Sequence, residues 1–358
     1  MSVNSSSSAQ TADAAPPVRR PLSRRRRAVF ICVWAAYIGG LLWLGAWGYR
    51  AFRLGGFSNA TPRAEILQMY YPELVRSGVA EAELHPDDEH FDVLLLGGSV
   101  LEDAAPAIEA RLRAQFGDRT RVFNLAKAAH TSRDSALKFS TLREKPFDLI
   151  IDYDGVNDVR MNSCPSEHYR DDYTHCRWYR SIERRLEAEE VKLTDLLHDE
   201  VDFVIPLGEP EPELLQYGDT IKTDRAFRNN LEEIVTAARE NGVPVVLMTF
   251  AYHIPTDYSR EKFEANQLDY GEGHYKLPAE LWGKPQNVAH TLDAQNKVIA
   301  ELAAEYDNVI VVDQAQMLPA DGVHFSDPCH LTNAGDLRLA SNISRVLRER
   351  WPQPSAAP

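Results

Sequence analysis

From residue 91 onward, five short apolar runs recur, each closed by glycine, proline or a polar turn residue. They are Asp92 to Gly97 (DVLLLG), Arg121 to Leu125, Phe147 to Tyr153 (FDLIIDY), Pro244 to Phe250 (PVVLMTF) and Asn308 to Asp313 (NVIVVD). Continuous apolar runs of this length belong to strands covered on both faces of a parallel sheet. Between and after them the apolar positions fall at helical spacing: Ala105 to Phe116, Ser132 to Arg143, Arg225 to Asn241, Asn287 to Tyr306 and Asn333 to Trp351. The alternation predicts an α/β domain, three layers α/β/α around a central, mostly parallel five-stranded sheet with right-handed crossovers. Ligands of such sheets bind beyond the carboxyl ends of the strands. Ser99 and Asn157 follow the first and third runs, and Asp327 and His330 follow the fifth, so topology alone brings all four to one edge.

Upstream the pattern changes. Ala28 to Tyr49 are 22 uncharged residues, long enough at about 1.5 Å per residue to cross roughly 30 Å of hydrocarbon. Arg19, Arg20 and Arg24 to Arg27 precede this run, whereas only Arg50 and Arg53 follow closely. The bias predicts a single-pass membrane protein with a cytoplasmic N-terminus and an extracytoplasmic globular domain. A cleaved signal sequence is the alternative, and both readings export the globular part. The expected organisation is a disordered basic cytoplasmic tail (1–27), a transmembrane helix (28–49), a stalk and lead-in segment (50–90), the α/β domain (91–351) and a short tail (352–358). Insertions at about 160–223 and 252–286 interrupt the alternation, and loops so placed shape access to a site as readily as they serve structure.

Charge and cysteine content narrow the partners. The formal charge of −14 divides into +6 for residues 1–50 and −20 beyond them. So acidic a domain offers no basic groove, which excludes nucleic acid, while the N-terminal arginines suit anionic lipid. Cys164 and Cys176 bracket a polar, aromatic stretch with little apolar content, and an oxidising compartment favours a disulfide between them over two free thiols. With His168 and His175 they are ligand types for a metal, but the spacing fits no standard zinc pattern and no metal site is expected.

The chemistry lies in four segments: Leu96-Gly97-Gly98-Ser99, Asn124 to Ser132, Gly155-Val156-Asn157-Asp158 and Asp327-Pro328-Cys329-His330-Leu331-Thr332. A serine hydroxyl needs a neighbouring base to become a nucleophile, and the oxyanion it creates needs preorganised donors. On local grounds Ser99 after Gly97-Gly98 reads more readily as an ordinary helix N-cap, and Asn157 reads equally as a turn residue. In Asp-x-x-His the carboxylate can orient the imidazole, but Asp321 to His324 repeats the spacing of Asp327 to His330, and spacing cannot choose between them. The G-x-S-x-G elbow is absent, because Leu101 occupies the second glycine position.

Taken in order, these segments resemble the SGNH (GDSL-type) hydrolase superfamily, over roughly Phe91 to Arg350 without the insertions. The resemblance implies a flavodoxin-like SGNH hydrolase fold and a serine esterase needing no cofactor. It implies Ser99 as nucleophile, with Gly97-Gly98-Ser99-Val100 in place of Gly-Asp-Ser-Leu, and Asn157 in the third block. It also implies Asp327 and His330, followed by Leu331, Thr332 and Gly335, as the remaining catalytic pair. The oxyanion hole would comprise the Ser99 N–H, the Ala129 N–H and the Asn157 amide. Ala129 stands where the family has glycine, and a left-handed backbone there would disfavour alanine by about 1 kcal/mol. His130 beside it is expected to make local loop contacts. The expected substrate is an acylated small molecule or a cell-envelope glycan. Alternatives are a polysaccharide O-acetyltransferase using the same site and a non-catalytic binding module.

Overall fold

The computed structural model describes residues 24–54, 62–85, 89–187, 204–205 and 208–351. Contacts divide the chain into two units, residues 1–58 and 59–358. The first contains helix α1 (Arg24–Leu54), of which Arg24–Tyr49 is long and apolar enough to cross a membrane. Residues 24–27, expected in the tail, form its first turn. Residues 1–23 and 352–358 lie outside the described part.

The second unit begins with α2 (Arg63–Tyr70) and α3 (Glu73–Arg76) and continues as β1 (Phe91–Gly97), α4 (Ser99–Phe116), β2 (Thr120–Asn124), α5 (Ser132–Phe139) and β3 (Leu149–Tyr153). There follow α6 (Val156–Val159), α7 (Arg177–Glu187), α8 (Asp224–Glu240), β4 (Val245–Met248), α9 (Arg260–Glu264), α10 (Pro285–Glu305), β5 (Val309–Val312), α11 (Gln314–Met317) and α12 (Asn333–Arg350). The five strands form one sheet, ordered β2-β1-β3-β4-β5, with every pairing parallel.

The unbroken apolar runs explain the layering. Along β1, Val93 and Leu95 enter one core with Leu101, Ile108, Leu112, Leu339, Ile343 and Leu347 of α4 and α12. Leu94 and Leu96 enter the other, with Leu137 of α5 and Leu231, Ile234 and Val235 of α8. β4 alternates in the same way, and so does β3 except at the buried Asp152, so both faces are covered. Leu67, Tyr71, Leu74 and Val79 of the lead-in segment are buried in the second core. The sequence pattern started the first helix at Ala105; the helix starts at Ser99 and carries Pro106 inside it.

The described part of the first insertion packs on itself and on α8. Met161, Tyr173, Cys176, Tyr179, Ile205 and Ala226 form a small third core. The expected Cys164–Cys176 disulfide is not formed: both are buried free cysteines. The Cys164 thiol donates to the Met161 carbonyl at 3.7 Å, while Cys176 packs in the third core and bridges Ile205 through its backbone. Burial raises both thiols to about 11, which disfavours the thiolate that disulfide exchange requires.

Candidate active site

The carboxyl ends of β1 and β3 and the loop after α11 converge as the topology predicts. Ser99 is the first residue of α4, so its own N–H has no acceptor within the helix. Its Oγ lies 2.8 Å from His330 Nε2, and His330 Nδ1 lies 2.7 Å from Asp327 Oδ2. With the proton on Nδ1, the imidazole donates to Asp327 and accepts from the Ser99 hydroxyl.

Asp327 is fully buried and well supplied with donors. Its Oδ1 accepts from the N–H groups of Cys329 (2.9 Å) and His330 (2.7 Å), and its Oδ2 also accepts from the Leu277 N–H at 2.9 Å. Burial alone would raise this carboxyl, but the His330 bond and charge, with these backbone donors, outweigh it and hold the group below its ordinary range. Asp321 makes the same local bond to His324 at 2.7 Å, yet only His330 reaches Ser99.

Asn157 sits in α6, and both ends of its amide are fixed. Nδ2 donates to the His130 carbonyl at 2.8 Å, and Oδ1 accepts from the indole N–H of Trp282 at 3.2 Å. One N–H of the amide is therefore left to face the space above Ser99. Gly98 is what allows this approach, since a Cβ there would come within 2.9 Å of Asn157 Nδ2. Ala129 adopts φ +66°, the left-handed conformation that glycine accepts without penalty. The cavity beside Ser99, lined by residues that include Gly98, His130, Tyr153, Gly155, Asn157 and Phe250, measures about 10 Å³, close to one water-sized group.

A buried polar frame holds these segments. Asp158, next to Asn157, accepts from Ser132 N–H (3.0 Å), Ser132 Oγ (2.6 Å) and Tyr173 Oη (2.8 Å), tying α6 to α5 and to the first insertion. Asp134 accepts from Tyr71, Trp178 and the Thr131 N–H. The His130 ring turns toward this frame, with Lys138 Nζ 3.1 Å from Nδ1 and Tyr71 edge-on, and burial lowers it to about 3, so it is neutral. It makes the local contacts expected of it.

Sequence reasoning missed three contributors, all from the 252–286 insertion: the Leu277 N–H on Asp327, Trp282 on Asn157, and Tyr275, whose ring centroid lies 4.4 Å from that of His330. The aromatic content of that insertion was the available signal, but no spacing rule links it to the site. Cys329 stands beside His330 with Sγ 3.5 Å from Nδ1, and burial pushes its thiol well up. Asp327, Cys329 and His330 are the group of metal-ligand types that comes together among the described residues, but the imidazole nitrogen facing the other two is already engaged by Asp327.

Ser99, His330 and Asp327 thus stand in line at the carboxyl edge of a parallel sheet covered by helices on both faces. The family model of the GDSL-like lipase/acylhydrolase family matches residues 95–337, and the chain belongs to that family of ester-bond hydrolases. No curated protein matches. Among solved structures, a GDSL-like lipase from Bacteroides thetaiotaomicron is 14% identical, with 78% of this chain and 98% of that chain covered and a TM-score of 0.44. A lipase/acylhydrolase from Enterococcus faecalis is 15% identical (74% and 99% covered, TM-score 0.38). An acetylxylan esterase from Geobacillus stearothermophilus is 16% identical (72% and 93% covered, TM-score 0.40).

Proposed function

We propose that this protein is a membrane-anchored, extracytoplasmic serine esterase that removes small acyl groups from a cell-envelope glycan or a related acylated small molecule. His330 Nε2 takes the Ser99 proton as Oγ attacks the ester carbonyl. The oxyanion forms against the N–H groups of Ser99 and Ala129 and the remaining N–H of the Asn157 amide. Collapse expels the alcohol oxygen, which takes its proton from His330; water, deprotonated by His330, then releases the acyl group from Ser99. Asp327 stays ionised throughout, because its carboxyl is held below the ordinary range.

The reading rests on the unbroken line Ser99 Oγ to His330 Nε2 at 2.8 Å and His330 Nδ1 to Asp327 Oδ2 at 2.7 Å. The arginines before α1 support a cytoplasmic N-terminus, a transmembrane anchor at 28–49 and an exported domain at 91–351. Full-length protein in detergent should hydrolyse p-nitrophenyl acetate and label with a fluorophosphonate, and Ser99→Ala should abolish both while the protein stays folded. Activity surviving in Ser99→Ala would sink the assignment. Asp327→Asn should lower kcat/KM by about 10⁴-fold, because the imidazole then loses its orienting acceptor.

A further inference from the structure

We infer that the cavity at the carboxyl end of α6 is a second binding site, and that it takes a small monocarboxylate with an apolar tail, held by the Arg160 guanidinium and the Ser163 hydroxyl. The site stands independently of the esterase reading. Its cavity measures about 240 Å³ and shares no lining residue with the cavity beside Ser99.

The two polar side chains that line it lack partners. Arg160 directly follows α6 and is only 4% exposed. Its Nε has no hydrogen-bond partner, and among the described residues no carboxylate pairs with the guanidinium. Burial pulls this group below its ordinary range. The neighbours that would oppose the shift are Cys176, Tyr179 and Cys329, which burial keeps protonated and therefore uncharged. Ser163 is 1% exposed, and its Oγ is also without a partner. Lys138, the other deeply buried cation described, differs: it donates to the Leu125 carbonyl and has Glu73 at 3.6 Å. A buried cation with neither water nor a counter-charge is strongly disfavoured. An anion in the cavity supplies what Arg160 lacks.

The walls select the class of anion. A guanidinium presents parallel donors that match a planar carboxylate. Val204, Ile205 and Leu214 give the cavity apolar sides, with room for about eight water-sized groups at about 30 Å³ each. Glu211 is also among the lining residues and is exposed, so its charge opposes a dianion such as phosphate more than a monoanion. These walls are held in place by the chain itself. The Ile205 N–H donates to the His175 carbonyl (3.0 Å), the Arg177 N–H donates to the Ile205 carbonyl (3.1 Å), and the Leu214 N–H donates to the Glu211 carbonyl (2.8 Å). A site formed in advance loses little freedom when it binds.

Calorimetric titration of the full-length protein in detergent tests the site, with sodium hexanoate as the probe and hexanamide and inorganic phosphate alongside. The parent should bind hexanoate saturably, phosphate more weakly and hexanamide not at all. Arg160→Met should weaken hexanoate about 10- to 100-fold, the scale of hydrogen bonds to a charged group, and Ser163→Ala about threefold. Leu214→Trp fills the cavity from its half-buried side while leaving Arg160 in place. It should abolish hexanoate binding with circular dichroism unchanged, and it carries the test if Arg160→Met does not fold. An absence of saturable hexanoate binding to the parent would overturn the site, as would parent-like affinity in a folded Arg160→Met or Leu214→Trp. Phosphate or hexanamide binding as tightly as hexanoate would overturn the monocarboxylate class.

Discussion

At the scale of single residues, two small side chains set the geometry around Ser99. Ala129 stands at φ +66° where the family has glycine, so the strain suspected from the sequence is present in the backbone. Ala129→Gly keeps the N–H and relieves about 1 kcal/mol, which should raise Tm by about 2–4 °C in a domain of this size, read by thermal scanning. Gly98 acts in the opposite sense. Its α-hydrogen faces Asn157 Nδ2, and a methyl there would come within 2.9 Å of it. Gly98→Ala should therefore displace the amide and lower kcat/KM by about 10²-fold, the usual cost of one oxyanion donor, with far-UV circular dichroism unchanged.

At the scale of elements, the segment after α9 does work that no motif announced. Trp282, near the start of α10, donates its indole N–H to Asn157 Oδ1 and so decides which end of the amide faces Ser99. Trp282→Phe keeps the aromatic volume and loses the donor. The expected result is a fall of about tenfold in kcat with KM little changed, since an oxyanion donor acts on the transition state rather than on bound substrate. The strands and long helices were legible because their apolar periods are local and redundant. The Cys164–Cys176 reading failed for a related reason: composition made 165–175 look unable to order itself, yet Tyr173 donates to Asp158 and Tyr179 to Asp134, carboxylates supplied by other parts of the fold, and both tyrosines join the Met161 cluster.

At the scale of the whole molecule, two buried carboxyls, Asp158 of that frame and Asp152 of β3, make stability depend on pH. Burial raises Asp152 to about 7, with the Asp158 charge adding to the rise, and raises Asp158 itself to about 6. A carboxyl raised on folding favours the folded state while protonated, so this contribution is complete below about pH 4 and is lost as pH rises through about 6 to 7. Asp327 works the other way, its contribution present above about pH 4 and lost on acidification below it. Thermal scans should show Tm falling between pH 5 and 8, and Asp152→Asn, which removes one buried titrating carboxyl, should flatten that fall. An unchanged slope would remove Asp152 from the account.

The sequence by itself determined the parallel sheet, its two covering layers, a helix apolar enough to span a membrane and the edge where Ser99, Asn157, Asp327 and His330 meet. Each follows from a period or a run read within a few turns of chain. Tertiary structure decided the remainder. Asp321–His324 and Asp327–His330 make the same bond at the same 2.7 Å; local spacing could not separate them, the family resemblance favoured the second, and in the structure it is distance to a hydroxyl 231 residues away that separates them. Likewise Leu277 and Tyr275 reach the site through the close packing of 271–277 against the loop bearing His330, and Trp282 through its bond to Asn157. Local patterns encode backbone geometry, whereas a site is assembled from donors and acceptors whose partners are distant in the chain.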